Sequence, residues 1–378
     1  MNTKAILQAT EIRHQWIRNS LHELVLQESP SEDRSAVNAA MAIAERLARG
    51  IGGRAKRHKQ KGFGDVLELR FGPARSARKP LMLLGHLDTV WPLGTLKEMP
   101  WREEKGRYWG PGVLDMKAGV VMALAAVSIL KELKLARPVV LLLNSEEEVG
   151  SPVSRAITER LARESAAVFV LEPAQGLAYK TARKGIGHYY VQVTGVGAHS
   201  GVDFEKGHSA ILELAKQVQT ISGFVNFERQ LTVNCGVIGG GTRSNVVASE
   251  AHIEVDVRIS KARDAAYVEK LFRDLKVSDR HCKLTITGGI NRPPMERKAG
   301  TIALFKQARS LAGELGFELR EAATGGGSDG NFTAALGVPT LDGMGAVGEG
   351  AHAAHESVVI EHLVPRTALL AAMIASVD

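Results

Sequence analysis

Three consecutive carboxylates, Glu146, Glu147 and Glu148, close an apolar run at residues 139–150 (VVLLLNSEEEVG). Side by side they repel one another, and a bare acidic triplet reads as a solvated turn. Other residues of the same chemistry change that reading. His86 and Asp88 close LMLLGHLD at 81–88, Asp115 lies in GPGVLDMKAG at 110–119, and Glu172 ends AVFVLE at 167–172. His352 and His355 lie in GAHAAHE at 350–356. Imidazoles and carboxylates in this mixture are a usual ligand set for zinc. The matching chemistry is hydrolysis, because a bound divalent ion lowers the pKa of water toward about 7 and so makes a nucleophile at neutral pH.

These residues stand where apolar segments end. The apolar run that opens 139–150 reads as a buried parallel strand, and the stretches 81–88 and 167–172 look alike. Ligand-binding groups in open α/β sheets gather at the carboxyl ends of such strands. His86 and Asp88, two apart, share a face if extended. Asp115 precedes a mostly apolar helix over 116–133. Helical spacing also marks 6–26 and 33–49, the second with Ser31 or Asp33 as cap and Gly50 as stop. Strands alternating with helices indicate an α/β domain.

The pattern then changes. Residues 187–195, 231–238, 251–259 and 281–287 read as strands, and 207–221 and 261–275 as helices. This β-α-β-β-α-β order predicts a ferredoxin-like layer. The expected division is 1–183 for the first part of one domain, 184–292 for an inserted domain, and 293–378 for the return of the first. The return carries a helix over 299–315, the loop TGGGSD at 324–329, and a final helix from Leu363. That loop makes a poor phosphate cradle, since it lacks the required Lys and is not expected to run from a strand into a helix.

The chain has 378 residues, is 44% hydrophobic and 24% charged, and carries a formal net charge of +7. Lys and Arg are dispersed, the densest run being RAKRHKQK at 54–61, which reads as a solvated edge. A nucleic-acid binder would gather the charge into a stripe, so no nucleic-acid partner is expected. The excess charge favours anionic substrates. The first residues hold no apolar leader, and no apolar run is judged long enough to span a membrane. Cys235 and Cys282 are far apart and outside any CxxC pattern, which argues against a disulfide framework. The expected location is the cytoplasm.

Taken in order, HLD, DMKAG, EEEVGS, LEP, TGGGSD and HxxxE resemble the M20 metallopeptidases, and within them the glutamate carboxypeptidases, over the whole chain. The resemblance implies a zinc-peptidase-like α/β catalytic domain with a mixed sheet, plus an inserted ferredoxin-like α+β lid or dimerisation domain. It implies two Zn2+ ions per subunit, with Co2+ or Mn2+ able to substitute. Asp115 would bridge them, His86 and Glu172 completing one site and Glu147 and His352 the other. Many relatives carry Asp at the place of Glu172, but the carboxylate serves. The ligand His stands four residues before a Glu in the family, which selects His352 relative to Glu356. His355 occupies the usual amide-residue slot and stays open as the alternative, since either imidazole can bind zinc. Asp88 is expected to orient His86, and Glu146 to act as general base.

In the inserted domain, His199 (GAHSG) matches a residue that hydrogen-bonds the oxyanion in relatives. Arg243 and Asn245 (GGGTRSNVV), Arg258 (VDVRIS) and Arg292 are the expected substrate-binding residues, the last matching a carboxylate-binding Arg. The implied activity is release of a C-terminal amino acid, with glutamate as one candidate, from a small peptide or N-acyl substrate. The alternatives are an N-acyl-amino-acid deacylase resembling acetylornithine deacetylase or aminoacylase, and an inactive binding protein of the same fold. A homodimer through the inserted domain is expected.

Overall fold

Three parallel strands, Val139–Asn144, Leu81–His86 and Val168–Val170, lie side by side with every residue buried. They form the centre of a six-stranded sheet in a computed structural model that describes residues 2–73 and 76–377. Thr340–Leu341 extends the parallel side, and Val66–Phe71 and Arg54–His58 add an antiparallel flank. Burial on both faces explains why the central strands read as unbroken apolar runs. The parallel strands all point their carboxyl ends the same way, so His86, Asn144 and Val170 finish at one edge of the sheet.

The helix Ala118–Glu132 covers that sheet, with all residues from Ala118 to Leu130 buried. Together with the turn before it, Val113–Glu132 is long and apolar enough to cross a membrane by length and composition. This corrects the expectation that no run reaches that length. Its burial against the sheet, the His14–Leu26 helix and the Ile360–Ser376 helix accounts for the composition without a bilayer. Residues 6–26 are two helices, Thr3–Ile12 and His14–Leu26, parted at Arg13. Asp33 caps the Arg34–Gly50 helix by accepting from the Ala36 amide.

By compactness the chain divides into two units, one of residues 183–296 with 325–327 and one of the remainder. The smaller unit has one four-stranded antiparallel sheet in the order Thr232–Gly240, Glu250–Ile259, Gly185–Thr194, Lys283–Arg292. Helices Ala210–Ser222 and Arg263–Arg273 pack on it around Val191, Ile253, Val255, Leu214 and Phe272. In chain order the strands run first, second, third, fourth while in space they run second, third, first, fourth, the ferredoxin-like arrangement. The TGGGSD loop does run from a strand, Arg320–Thr324, into a helix, Gly330–Ala335, contrary to expectation. The strand was missed because its five residues, REAAT, carry no apolar alternation.

Candidate metal centre

Asp115 presents its two carboxylate oxygens to two different imidazoles. Oδ1 lies 3.4 Å from His86 Nε2, and Oδ2 lies 3.4 Å from His352 Nε2. Glu172 Oε1 stands 3.6 Å from the same His86 nitrogen, and Glu148 Oε2 3.1 Å from the same His352 nitrogen. Two ligand clusters result, His86–Asp115–Glu172 and Asp115–Glu148–His352, sharing one carboxylate. Four ligands placed tetrahedrally at zinc–nitrogen and zinc–oxygen distances of about 2.0–2.2 Å are roughly 3.3–3.5 Å apart. The observed separations fall close to that.

The second cluster departs from expectation at one residue. Glu148, not Glu147, faces His352. Glu146, expected as the base, is fully buried and turned away. Its Oε2 accepts from the Ser145 amide and hydroxyl at 3.1 and 2.7 Å, and its Oε1 from the amides of Val153 and Ser154 at 3.1 and 2.6 Å. A carboxylate holding four such bonds is a structural tie. Glu147 opens the short 3-10 turn Glu147–Val149 and is half-buried. The triplet therefore sits one residue further along than its motif suggested.

Asp88 holds that turn. Its Oδ1 and Oδ2 accept from the amides of Glu147 and Glu148, each at 3.1 Å, and Ser31 Oγ donates to Oδ2 at 2.7 Å. It also meets His86, as expected, although the backbone carbonyl is the nearer acceptor, 3.0 Å from Nδ1 against 3.3 Å for the carboxylate. With Nδ1–H donating there, Nε2 is left for a ligand.

The Asp115 loop is fixed by a residue that motif reading used only as a spacing mark. Glu356 accepts from the amides of Gly112, Leu114 and Asp115 at 2.9, 2.9 and 3.0 Å, and from Trp91 Nε1 at 2.8 Å. The four-residue spacing from His352 thus ties the metal-facing imidazole to the loop carrying Asp115. His352 itself has a left-handed backbone, φ 62°, and is half-exposed. His355 is exposed and, among the described residues, belongs to neither cluster. Below the sheet edge, Asp329 accepts from Asn144 Nδ2 at 2.5 Å and from the Ser151 hydroxyl. Ser328 Oγ donates to Asp342 at 2.6 Å.

The electrostatics fit divalent ions. Burial opposes charge on His86, yet Asp115, Asp88 and Glu172 together hold its pKa well above the usual imidazole range. Asp115 and Glu148 raise that of His352 to about 10. Burial pushes the Asp115 carboxyl up, but His352 and His86 outweigh it and hold the group well below the ordinary range. The carboxylates demand positive charge, which protons on these two imidazoles or metal ions in their place can supply. His86 Nε2 and Asp115 Oδ1 are buried without a hydrogen bond, as expected of atoms reserved for a ligand.

His199 is exposed on a short ribbon, Ala198–His199 paired with Val246–Val247, and its Nδ1 accepts from the Gly201 amide at 3.1 Å. Ser200 N donates to the Asn245 carbonyl at 3.0 Å, so His199 and Asn245 are neighbours there. Arg243 and Asn245 are exposed. Arg258 meets a carboxylate, but it is Asp256 of its own strand, held by two bonds of 2.8 Å. Arg292 is buried at 4% exposure.

Known proteins resemble this chain along most of its length. Residues 82–376 match the family described as peptidase family M20/M25/M40. Carboxypeptidase G2 of Pseudomonas sp. (strain RS-16) is 28% identical over 385 residues, covering 97% of this chain and 90% of its own. A succinyl-diaminopimelate desuccinylase of Acidovorax ebreus is 27% identical over 323 residues, covering 78% and 80%. Among solved structures, aminopeptidase PepT from Bacillus cereus superposes with a TM-score of 0.78 at 22% identity, over 96% of this chain and 98% of that one.

Proposed function

Because this chain belongs to peptidase family M20/M25/M40 and is a metal-dependent hydrolase, we propose that it is a di-zinc enzyme that cleaves an amide bond to release a C-terminal amino acid. The observation that carries the reading is Asp115, whose two oxygens each face a separate His and carboxylate pair. His86, Asp115 and Glu172 would hold one ion, and Asp115, Glu148 and His352 the other. When bound, the ions would supply an activated water and polarise the scissile carbonyl.

The remaining work belongs to side chains. Glu147 is the general base: it stands directly before the ligand Glu148, on the turn that Asp88 holds beside the cluster. It takes a proton from water and delivers it to the leaving amine nitrogen as the C–N bond breaks. Asp88 keeps Glu147 and Glu148 in place through their amides. His199 donates a hydrogen bond to the developing oxyanion, and Asn245 beside it contacts substrate. Arg292 pairs with the free carboxylate of the released residue, for which a planar guanidinium offers two parallel bonds. Arg258 is already engaged by Asp256, so it supports the site and does not clamp the substrate.

The substrate is a small peptide or an N-acyl amino acid. A carboxypeptidase and a desuccinylase among the relatives support both, and the second keeps the deacylase alternative alive. Glutamate as the released residue follows from the carboxypeptidase likeness alone. The enzyme works in the cytoplasm as a homodimer through the inserted domain. The direct test is a chromatographic screen of dipeptides and N-acyl amino acids, each as free acid and as C-terminal amide. Zinc-loaded protein should hydrolyse free acids only, lose activity to chelator and regain it with zinc. Turnover that persists after complete chelation would sink the metal reading, and equal turnover of amides would sink the Arg292 clamp.

A further inference from the structure

Away from the chemistry assigned above, the inserted unit holds another set of ligand-type side chains. We propose that His208, Asp279 and His281 form an additional site for one divalent transition-metal ion of the zinc class. Among the described residues this is the one His and carboxylate cluster outside the two that share Asp115. His208 Nδ1 lies 2.7 Å from Asp279 Oδ2, and His281 Nδ1 lies 3.3 Å from Asp279 Oδ1. The two imidazole rings face each other with centroids 4.0 Å apart. Ligands arranged tetrahedrally on zinc are separated by about 3.3 Å. One pair already has that spacing, and the other needs to open by roughly half an ångström, within the reach of a side-chain rotation.

The backbone beneath each ligand is pinned. His208 exchanges two bonds with Val196, at 2.8 and 2.9 Å. On the other side, buried Glu213 accepts from the amides of Ser278 and Asp279 at 2.9 and 3.1 Å, and Gln217 fixes Glu213 with a bond of 2.8 Å. The His281 amide donates to Asp279 Oδ1 at 2.9 Å. That bond and the contact with His208 hold the Asp279 carboxylate between the two imidazoles. The groove beside them is lined by the carboxylates Asp279 and Glu213 and by the cations Lys216 and Arg243. The neighbouring Cys282 does not belong to the clustered ligand atoms.

Three side-chain ligands leave a fourth position free. It opens on a groove of about 480 Å³ lined by Ser200, Lys216, Arg243 and Ser244, so water or a small anion completes the coordination. Imidazole with one carboxylate suits zinc, cobalt, nickel or copper and disfavours magnesium and calcium. The ion would tie the 278–282 loop to the start of the Ala210–Ser222 helix, stiffening this unit.

The test counts zinc and does not depend on turnover. Full-length protein is stripped with chelator, dialysed against zinc and assayed by elemental analysis, beside a His208→Ala/His281→Ala variant. The wild type should hold one equivalent more than the variant. The same difference should appear in an Asp115→Asn background, where the shared carboxylate of the other clusters is removed. In that background zinc should also raise the unfolding temperature, and should cease to do so once His208 and His281 are gone. His281→Gln alone serves as the milder variant if the double change perturbs folding. Equal zinc in wild type and either folded variant overturns the site, whatever the fate of the ions at Asp115.

Discussion

At the scale of single residues, the acidic triplet divides its labour by where each side chain points. Glu147→Gln should keep metal and substrate binding while losing about 10²–10⁴-fold in kcat, the usual worth of a positioned proton carrier. Glu148→Gln should lose zinc before it loses anything else, as judged by bound metal after dialysis. Glu146→Gln puts an amide where four donors now point. One NH2 group would face them, and folding should lose about 1–3 kcal/mol in a denaturant titration. If Glu146→Gln kept full stability but abolished turnover, the roles would have to move back by one residue. Residue types were legible in the sequence: His86, Asp115, Glu172 and His352 were named from motif and resemblance, and the structure gathers them. The register of the triplet was not, because three equal carboxylates offer no contrast. What decides it is the Glu147–Val149 turn and the Asp88 carboxylate, which are contacts made only on folding. Glu356 escaped for a related reason, since it acts on backbone amides that no sequence pattern reveals.

At the scale of elements, the site depends on how closely the buried helix approaches the sheet edge. Gly119, in the first turn of Ala118–Glu132, has no room for a side chain: a Cβ there would meet the Leu171 carbonyl oxygen, one residue before Glu172. Backbone cannot swing aside as a side chain can. Gly119→Ala should therefore cost stability by about 1–3 kcal/mol or more, and it should displace Glu172. Zinc affinity at the His86 side should fall together with the unfolding temperature. Unchanged values of both would mean that the helix can shift without disturbing the edge. Asp88→Asn tests the neighbouring element in a milder way. It keeps the size but turns one acceptor into a donor facing an amide, so metal affinity should drop about 10–100-fold, as for other groups that orient ligands. The long strands and helices were legible from periodicity, because their burial is what creates the pattern. Short elements such as Arg320–Thr324 and Gly348–Glu349 were not: the first is held by a partner far along the chain, Ala178–Arg183, and the second is too short to show any period beside its partner Ser357–Val359.

At the scale of the whole molecule, His199 is carried by the inserted unit and the metal ligands by the other. The ferredoxin-like order of that unit was legible because each strand alternates, but which copy of the chain His199 serves is a matter of assembly, and no periodicity encodes it. In a symmetric pair, the commonest closed assembly, each copy can lend its His199 to the other. Mixing decides the question. Glu147→Ala and His199→Ala proteins should each be nearly inactive. After subunit exchange, a mixed pair would own one centre with intact Glu147 and the partner's intact His199. Random pairing then restores about one quarter of wild-type activity, since roughly half of the pairs are mixed and each has one working centre of two. The yield of mixed pairs is read independently, by differently tagged copies in native mass spectrometry. Mixed pairs present in that yield without any return of activity would place His199 in its own chain's chemistry, or outside chemistry altogether. A monomer under conditions of full activity would dispose of the shared site at once.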